Sequence, residues 1–285
     1  MATAPDQDVA ERLLRLRTTD LDRYLACLLM PASVRDDLVR LFLFNAEIAA
    51  VRDKVRAALP GEVRLQWWVD ALSGERAGEA RDNPVASTFL EMLDRRAIPV
   101  VSLISMCQAR VFDLYDDPMP DRATYEGYAG ETAAALLQIS ALVLDPAHAT
   151  AAATVCGHAG VAQSVAGHLM LLPLHRSRGQ VYLPGDSLAA TGLDRDGFLA
   201  GDDDGRCAAA ISAFVSLGRE HLFKARAEMA RLPPTLRPAL LPVALSAPVF
   251  DLADRLGARC LEQSPQPAQW RRQWRFFRAR ATGRI

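Results

Sequence analysis

A long run of residues without a charged side chain constrains the fold of this chain more than any other feature. From Pro146 to His175 there is no Asp, Glu, Lys or Arg. A stretch of this length can cross a bilayer, but a helix at the centre of a soluble bundle is also hydrophobic all round. The Ala and Gly content of the run and its polar residues, among them His158, Gln163 and His168, favour the buried helix.

The rest of the chain has the pattern of α-helices. Leu, Ala and Arg are frequent, and no segment alternates apolar and polar residues as a half-buried strand would. We expect helices over 122–144, 147–172 and 235–255, among others, separated by loops rich in Gly, Pro and Asp. Because no internal repeat or low-complexity linker interrupts the pattern, the sequence predicts one all-α domain over residues 1–285.

Composition excludes several classes of protein. Half of the residues are hydrophobic, which is enough for a large core. The formal net charge is −1, so we expect no nucleic-acid partner, because proteins that bind nucleic acid usually carry a basic field. The five cysteines lack the spacing of a zinc site or a disulfide framework. The first residues lack the pattern of a secretory signal, and we therefore expect a cytoplasmic protein.

Three blocks of sequence occur in an informative order. The first is LFLFNAEIAAVRDKV at 41–55, followed by RLQWWVDAL at 64–72. The second is YEGYAGETAAALLQ at 125–138, and the third, at 157–193, contains RGQVYLPGDSL. This succession resembles the squalene/phytoene synthases, which join two prenyl diphosphates head to head. The resemblance implies an isoprenoid-synthase-like helical bundle around a central apolar cavity.

The chemistry of that family depends on magnesium. Mg²⁺ bridges phosphate oxygens and carboxylates, and so neutralises the departing diphosphate. The family supplies the carboxylates from two facing helices, in D-D-x-x-D and D-x-x-x-D patterns. Residues four apart lie on one helical face, so each pattern directs its oxygens into the cavity.

Most of these carboxylates are missing here. Aligned with the family patterns, the first motif has Ala49, Ala50 and Asp53 at its acidic positions, and the second has Leu171 and His175. One carboxylate and one imidazole do not make a site for hard cations, which prefer several oxygen ligands. Asp53 is the one remaining candidate metal ligand. The departure implies a protein that has kept the fold and changed its use.

The form NAEIAAVRDKV followed by RLQWW resembles one branch of the family, the phytoene-synthase-like proteins related to a mitochondrial respiratory complex I assembly factor. This resemblance implies a noncatalytic protein that needs no cofactor. Such a protein would bind an isoprenoid, another apolar lipid or a protein partner during assembly of a respiratory complex. The alternative is an active head-to-head prenyltransferase of isoprenoid biosynthesis, which would require Mg²⁺. Whether the chain is an enzyme stays open at this point.

The residues expected to line the cavity come from all three blocks. They are Asn45, Glu47, Asp53, Arg64, Gln66, Gln163, Leu171, His175, Arg178 and Tyr182. Ordinary ion-paired positions are the alternative for Glu47 and Asp53, and a structural role at a helix end is the alternative for Tyr182. The acidic cluster over 113–121 is interpreted as a solvated loop, because prolines interrupt it. The histidines His158, His168 and His175 are interpreted as buried, hydrogen-bonded side chains rather than metal ligands.

Residues 266–285 are strongly basic and aromatic, and they predict a C-terminal helix. A helix lying on an anionic membrane surface has this composition. The residues that would face the membrane are Trp270, Arg271, Trp274, Arg275, Phe277 and Arg278. We therefore expect peripheral contact with the inner face of a membrane. The alternative is a final helix that docks its aromatic stripe onto the bundle.

Overall fold

Helices account for the regular structure of the computed structural model, which describes the backbone of residues 4–285 and the side chains of residues 8–285. There is no β-strand between residues 4 and 285, so the all-α prediction is confirmed. The α-helices are α1 (Ala4–Thr19), α2 (Leu21–Leu28), α3 (Ala32–Ala49), α4 (Ala58–Leu72), α5 (Ala77–Asp82), α6 (Pro84–Arg96), α7 (Val100–Ala109), α8 (Arg122–Ala129), α9 (Ala135–Leu144), α10 (Ala153–Met170), α11 (Leu172–Ser177), α12 (Gly185–Ala190), α13 (Arg195–Ala200), α14 (Asp204–Met229), α15 (Ser246–Leu256) and α16 (Gln269–Thr282).

Tighter or wider helical turns join several of these elements. A π-helical segment, Gly130–Ala134, makes α8 and α9 continuous, as the prediction of one helix over 122–144 requires. The 3₁₀ segments are Arg52–Lys54, Phe112–Leu114, Ala149–Ala152, Arg237–Leu245 and Gly257–Leu261. The helix predicted over 235–255 begins only at Ser246. Pro242 lies in the preceding segment, and a proline removes a backbone donor that an α-helix there would use.

Short polar side chains begin several helices. The carboxylate of Asp20 accepts a hydrogen bond from the backbone N–H of Arg23 at the start of α2. Asn83 and Asp121 cap α6 and α8 in the same way. Such caps satisfy N–H groups that have no partner within the helix, and each stabilises by about 1 kcal/mol.

Two hydrophobic clusters fill the interior. One belongs mainly to α1–α7, where the rings of Phe44 and Phe89 stack with centroids 4.3 Å apart. The other belongs mainly to α8, α10, α14 and α15, and contains Phe214 and Phe250. The five cysteines are buried and free. The division matters for function because a cavity lies where the two clusters meet.

The uncharged run forms α10 and α11 in the middle of the bundle, as the buried-helix interpretation requires. Helix α10 packs along α14 and against the π-helical segment. A Cβ at Gly160 would lie 2.4 Å from the Cα of Ala134, so only glycine permits this approach. By length and composition, one helical stretch in the described range, Arg122–Leu144, could cross a membrane, although half of its apolar window is buried inside the protein.

Candidate functional site

A cavity of about 620 Å³ lies between the two hydrophobic clusters. Its walls come from α2, α3, the π-helical segment, α10, α11 and the start of α15, and Arg272 of α16 borders it as well. All of the predicted site residues border it except Arg64 and Gln66. The lining is less apolar than the sequence predicts, because charged side chains that pair with one another stand among the small apolar residues.

The prediction that Arg64 and Gln66 face the cavity is wrong. Both side chains are exposed on α4, and Gln66 donates a hydrogen bond to Asp70 (2.7 Å). Helix α4 buries Leu65 and Trp68 instead. Successive residues of a helix are turned by about 100°, so the residues on either side of Leu65 point away from the core.

The outer part of the cavity, which we call the rim, consists of Glu47, Asp53, Lys54 and Arg178. Arg178 donates to Asp53 with an N–O distance of 2.5 Å, and Lys54 donates to Glu47 at 2.5 Å. Glu47 also accepts from Arg15 at 2.8 Å. Partial burial works to raise the pKa of Glu47, but the bonds from Lys54 and Arg15 outweigh it and lower that pKa. Glu47 is therefore ionised, and both rim carboxylates are already engaged with cations.

Leu171 and His175, aligned in the sequence analysis with a second acidic motif, bring no negative charge. Leu171, at the end of α10, is 45% exposed, whereas His175 on α11 is buried at 8%. Burial lowers the pKa of His175 to about 4, with the carboxylate of Asp113 acting in the opposite direction. The imidazole is consequently neutral at neutral pH.

The inner part, which we call the floor, consists of Arg110, Asp113, Tyr128, His168 and Tyr182. Tyr128 and Tyr182 each donate to the same oxygen of Asp113, at 2.8 Å. Arg110 donates to the other oxygen at 3.1 Å and to the hydroxyl of Tyr128 at 2.9 Å. The interpretation of Asp113 as part of a solvated loop is therefore wrong, since this residue is buried and holds two tyrosines and an arginine together.

Rings complete the floor. The imidazole of His168 stacks on Tyr182 with centroids 4.1 Å apart and planes within 9°, and its Nδ1 is 2.9 Å from the hydroxyl of Tyr125. Burial lowers the pKa of His168 and raises those of Tyr128 and Tyr182. The imidazole is therefore neutral and the phenols are protonated, so the floor offers no free nucleophile or base of unusual strength.

Magnesium does not fit the residues that are present. The carboxylates bordering the cavity do not converge: Asp53 pairs with Arg178, Glu47 with Lys54, and Asp113 with Arg110. Within the described side chains, no group of three His, Cys, Asp or Glu residues could hold a metal ion. A Mg²⁺ ion takes octahedral oxygen ligands, and here each of these three carboxylates is already paired with a cation.

The polar partners of Asp113 were missed by the sequence reasoning. Arg110 and Asp113 stand three residues apart, and Tyr128 follows Tyr125 at the same spacing. In both pairs, the spacing of three residues is a weak indication that the two side chains lie on the same helical face. The contact from Tyr182 joins residues 69 positions apart, and nothing local in the sequence predicts it.

Helix α16 presents two different faces. Its inner face buries Phe276 and Ala279 against the bundle, and Arg272 bonds to Asp22 of α2. Its outer face carries Trp270, Trp274 and Phe277, which are 65%, 58% and 56% exposed. The alternative in which the aromatic stripe docks onto the bundle is therefore wrong. The remaining predicted membrane-facing residues, Arg271, Arg275 and Arg278, lie on the exposed or half-buried parts of the same helix.

Comparison of sequences identifies relatives of this chain. A family model described as squalene/phytoene synthase matches residues 16–278. The complex I assembly factor 6 of Rattus norvegicus is 31% identical over 228 residues, which are 79% of this chain and 68% of that protein. The Homo sapiens protein of the same name is 30% identical with the same coverage. Both are named as assembly factors of NADH dehydrogenase (ubiquinone) complex I.

Comparison of structures gives the same fold. A dehydrosqualene synthase solved in complex with ligand superposes with a TM-score of 0.79 at 13% identity, covering 97% of this chain and 96% of that chain. The squalene synthase HpnC of Alicyclobacillus acidocaldarius superposes with a TM-score of 0.73 at 16% identity, covering 88% and 94%. Since the sequence match extends over most of the chain and the fold agrees, this chain belongs to the squalene/phytoene synthase family.

Proposed function

We propose that this protein is a noncatalytic assembly factor for a respiratory NADH dehydrogenase, and that it requires no metal cofactor. Its cavity would hold an isoprenoid-like lipid or a segment of a protein partner. The relatives named as complex I assembly factors support the first part of the proposal. The cavity, at about 620 Å³, supports the second, because it lies within the usual size range of small-molecule sites.

One observation carries the noncatalytic part of the proposal. Each carboxylate at the positions where magnesium would be needed is absent or bound to a cation, as in the pair of Asp53 and Arg178. Diphosphate departure requires neutralisation of the developing charge, which a metal cluster supplies in this type of reaction. An arginine that is already neutralised by its own carboxylate does not replace such a cluster.

A genetic experiment tests the assembly role. Deleting the gene from the source organism is expected to lower the NADH:quinone oxidoreductase activity of its membranes and to leave succinate oxidation unchanged. Wild type and Asp53→Ala are expected to restore the activity equally, with Arg64→Ala as the control on the surface. Normal NADH oxidation in the deletion strain would contradict the assembly role.

A biochemical experiment tests the absence of catalysis. The purified protein is incubated with farnesyl and geranylgeranyl diphosphate in the presence of Mg²⁺ or Mn²⁺, and released diphosphate is measured. We expect no turnover from the folded protein. Metal-dependent release that Asp53→Ala abolishes would restore the prenyltransferase alternative.

Contact with a membrane is a further part of the proposal, supported by the exposed aromatic face of α16. Replacing Trp270, Trp274 and Phe277 together by Ala is expected to weaken sedimentation with vesicles that contain phosphatidylglycerol. Phe223→Ala is the matched control, because Phe223 is 74% exposed elsewhere on the surface. Equal sedimentation of both variants would refute the role of α16.

A further inference from the structure

Every cation that borders the cavity already has its own carboxylate. The pairs are Arg23 with Asp20, Arg52 with Asp116, Lys54 with Glu47, Arg110 with Asp113, Arg178 with Asp53, and Arg272 with Asp22. Each of these six cations is therefore paired, although Asp116 lies outside the lining and Glu47 also accepts a hydrogen bond from Arg15. A multiply charged diphosphate would have to displace several of these carboxylates, and the displaced groups would then lie beside it with the same sign of charge.

Polar atoms without a partner stand beside these paired charges. The hydroxyl of Ser246, the side-chain oxygen of Gln163 and the Nε atoms of Arg23, Arg52 and Arg110 are buried and form no hydrogen bond to any described residue, and all five residues border the cavity. Ser246 is 1% exposed. A buried polar group without a partner costs roughly 1–3 kcal/mol, and native proteins contain few of them. A ligand that supplies a donor and an acceptor would remove this cost.

These polar groups share the cavity wall with small or apolar side chains. Ala49, Ala50, Ala133, Ala166 and Met170 border the same space. Small side chains leave room along the helices for a hydrocarbon chain, whose burial is favourable by about 25 cal/mol per Å². The cavity thus combines an apolar wall with hydrogen-bonding groups and with cations that already have carboxylate partners.

We propose that the cavity binds a lipid with an apolar chain and an uncharged, hydrogen-bonding head, of the class of long-chain isoprenoid alcohols, in preference to a prenyl diphosphate. The hydroxyl of such a lipid can donate to the side-chain oxygen of Gln163 or accept from the hydroxyl of Ser246. This inference rests on the lipid-binding part of the proposed function, and it specifies the head group that the site accepts.

Equilibrium dialysis with two radiolabelled probes tests the preference. Farnesol and farnesyl diphosphate have the same chain and differ only in the head, and each is measured with and without Mg²⁺. We expect farnesol to bind at least about tenfold more tightly. This difference in binding free energy is about that of one hydrogen bond to a charged group. Tighter binding of farnesyl diphosphate, or of neither probe, would overturn the inference.

A variant of Ser246 sharpens the test. Ser246→Ala is expected to weaken farnesol binding about two- to tenfold, since a net hydrogen bond is lost. The same change removes an unpaired hydroxyl from the free protein, so the melting temperature without ligand should stay equal or rise. A melting temperature that falls together with affinity would instead assign Ser246 a structural role and overturn its place in the site.

A double variant at the rim tests whether the paired carboxylates weaken diphosphate binding. Glu47→Gln combined with Asp53→Asn removes the partners of Lys54 and Arg178, and is expected to raise the affinity for farnesyl diphosphate about tenfold relative to the affinity for farnesol. An unchanged diphosphate affinity would contradict the argument from paired charges. None of these outcomes bears on the deletion strain, so failure of the lipid preference and failure of the assembly role are distinguishable.

Discussion

The rim and the floor of the cavity are built from the same kind of ion pair in different surroundings. At the rim, the side chain of Asp53 is 53% exposed and that of Arg178 is 31% exposed. At the floor, the side chain of Asp113 is 9% exposed and that of Arg110 is 19% exposed. An exposed pair contributes about 0–1 kcal/mol, whereas breaking a buried pair costs about 3–5 kcal/mol because one charge is left without a partner.

This difference separates the two tasks of the site. The floor ties α8 and the segment after α11 to the end of α7, and any change there is expected to act first on folding. The rim can change its charges at little cost to the fold, so it is the part in which a family member can alter the ligand it accepts.

The largest expected effect is at the floor. Asp113→Ala leaves Arg110 buried without its carboxylate and removes the acceptor of two tyrosines, so we expect the free energy of unfolding to fall by about 3–5 kcal/mol. Urea denaturation measures it. Tyr182→Phe is the matched control, with an expected loss of about 1 kcal/mol for one hydrogen bond. Equal losses for the two variants would mean that Asp113 is not the centre of the floor.

The second effect is the dependence of stability on pH that His175 contributes. The pKa of His175 is about 4 in the folded protein and near 6.5 in an ordinary setting. Between these values the unfolded chain binds a proton that the native protein does not, so stability falls as pH decreases from 6.5 to 4. The loss should approach roughly 3 kcal/mol.

The variant His175→Gln isolates this contribution from other titrating groups. Its urea midpoint is expected to depend less on pH over the same window than that of wild type. His168 has a lowered pKa as well, so part of the dependence should survive. Identical pH profiles for variant and wild type would show that His175 is accessible to water in the native protein.

The smallest effect is at the rim. A double-mutant cycle of Asp53→Asn and Arg178→Met is expected to give a coupling energy of about 0–1 kcal/mol, decreasing with added salt. A coupling above about 2 kcal/mol would remove the distinction between rim and floor, because Asp53 would then be held as strongly as Asp113.

Much of this arrangement was predictable from the sequence. The helical period and the uncharged run were sufficient for the all-α fold, and the order of the three blocks placed Asp53, His175 and Arg178 around one cavity. The exposure of Arg64 and Gln66 could also have been predicted, because Leu65 and Trp68 mark the buried face of α4.

The floor was not predictable, for a physical reason. Asp113 precedes a proline-rich acidic stretch and has the local composition of a surface loop. Its burial depends on Tyr128 and Tyr182, which lie 15 and 69 positions away. A buried carboxylate becomes acceptable only when such distant donors satisfy it, and no local pattern records them.

The bond between Arg272 and Asp22 has a consequence for the order in which this protein is made. These residues are 250 positions apart and both border the cavity. Chains fold progressively as they emerge during synthesis, N-terminal part first. The wall on the side of Asp22 therefore forms only after residues 266–272 are translated. Before that, the nascent protein passes through a stage in which most of both hydrophobic clusters can form, without Phe276 and Ala279 of α16, while the cavity is still open on that side.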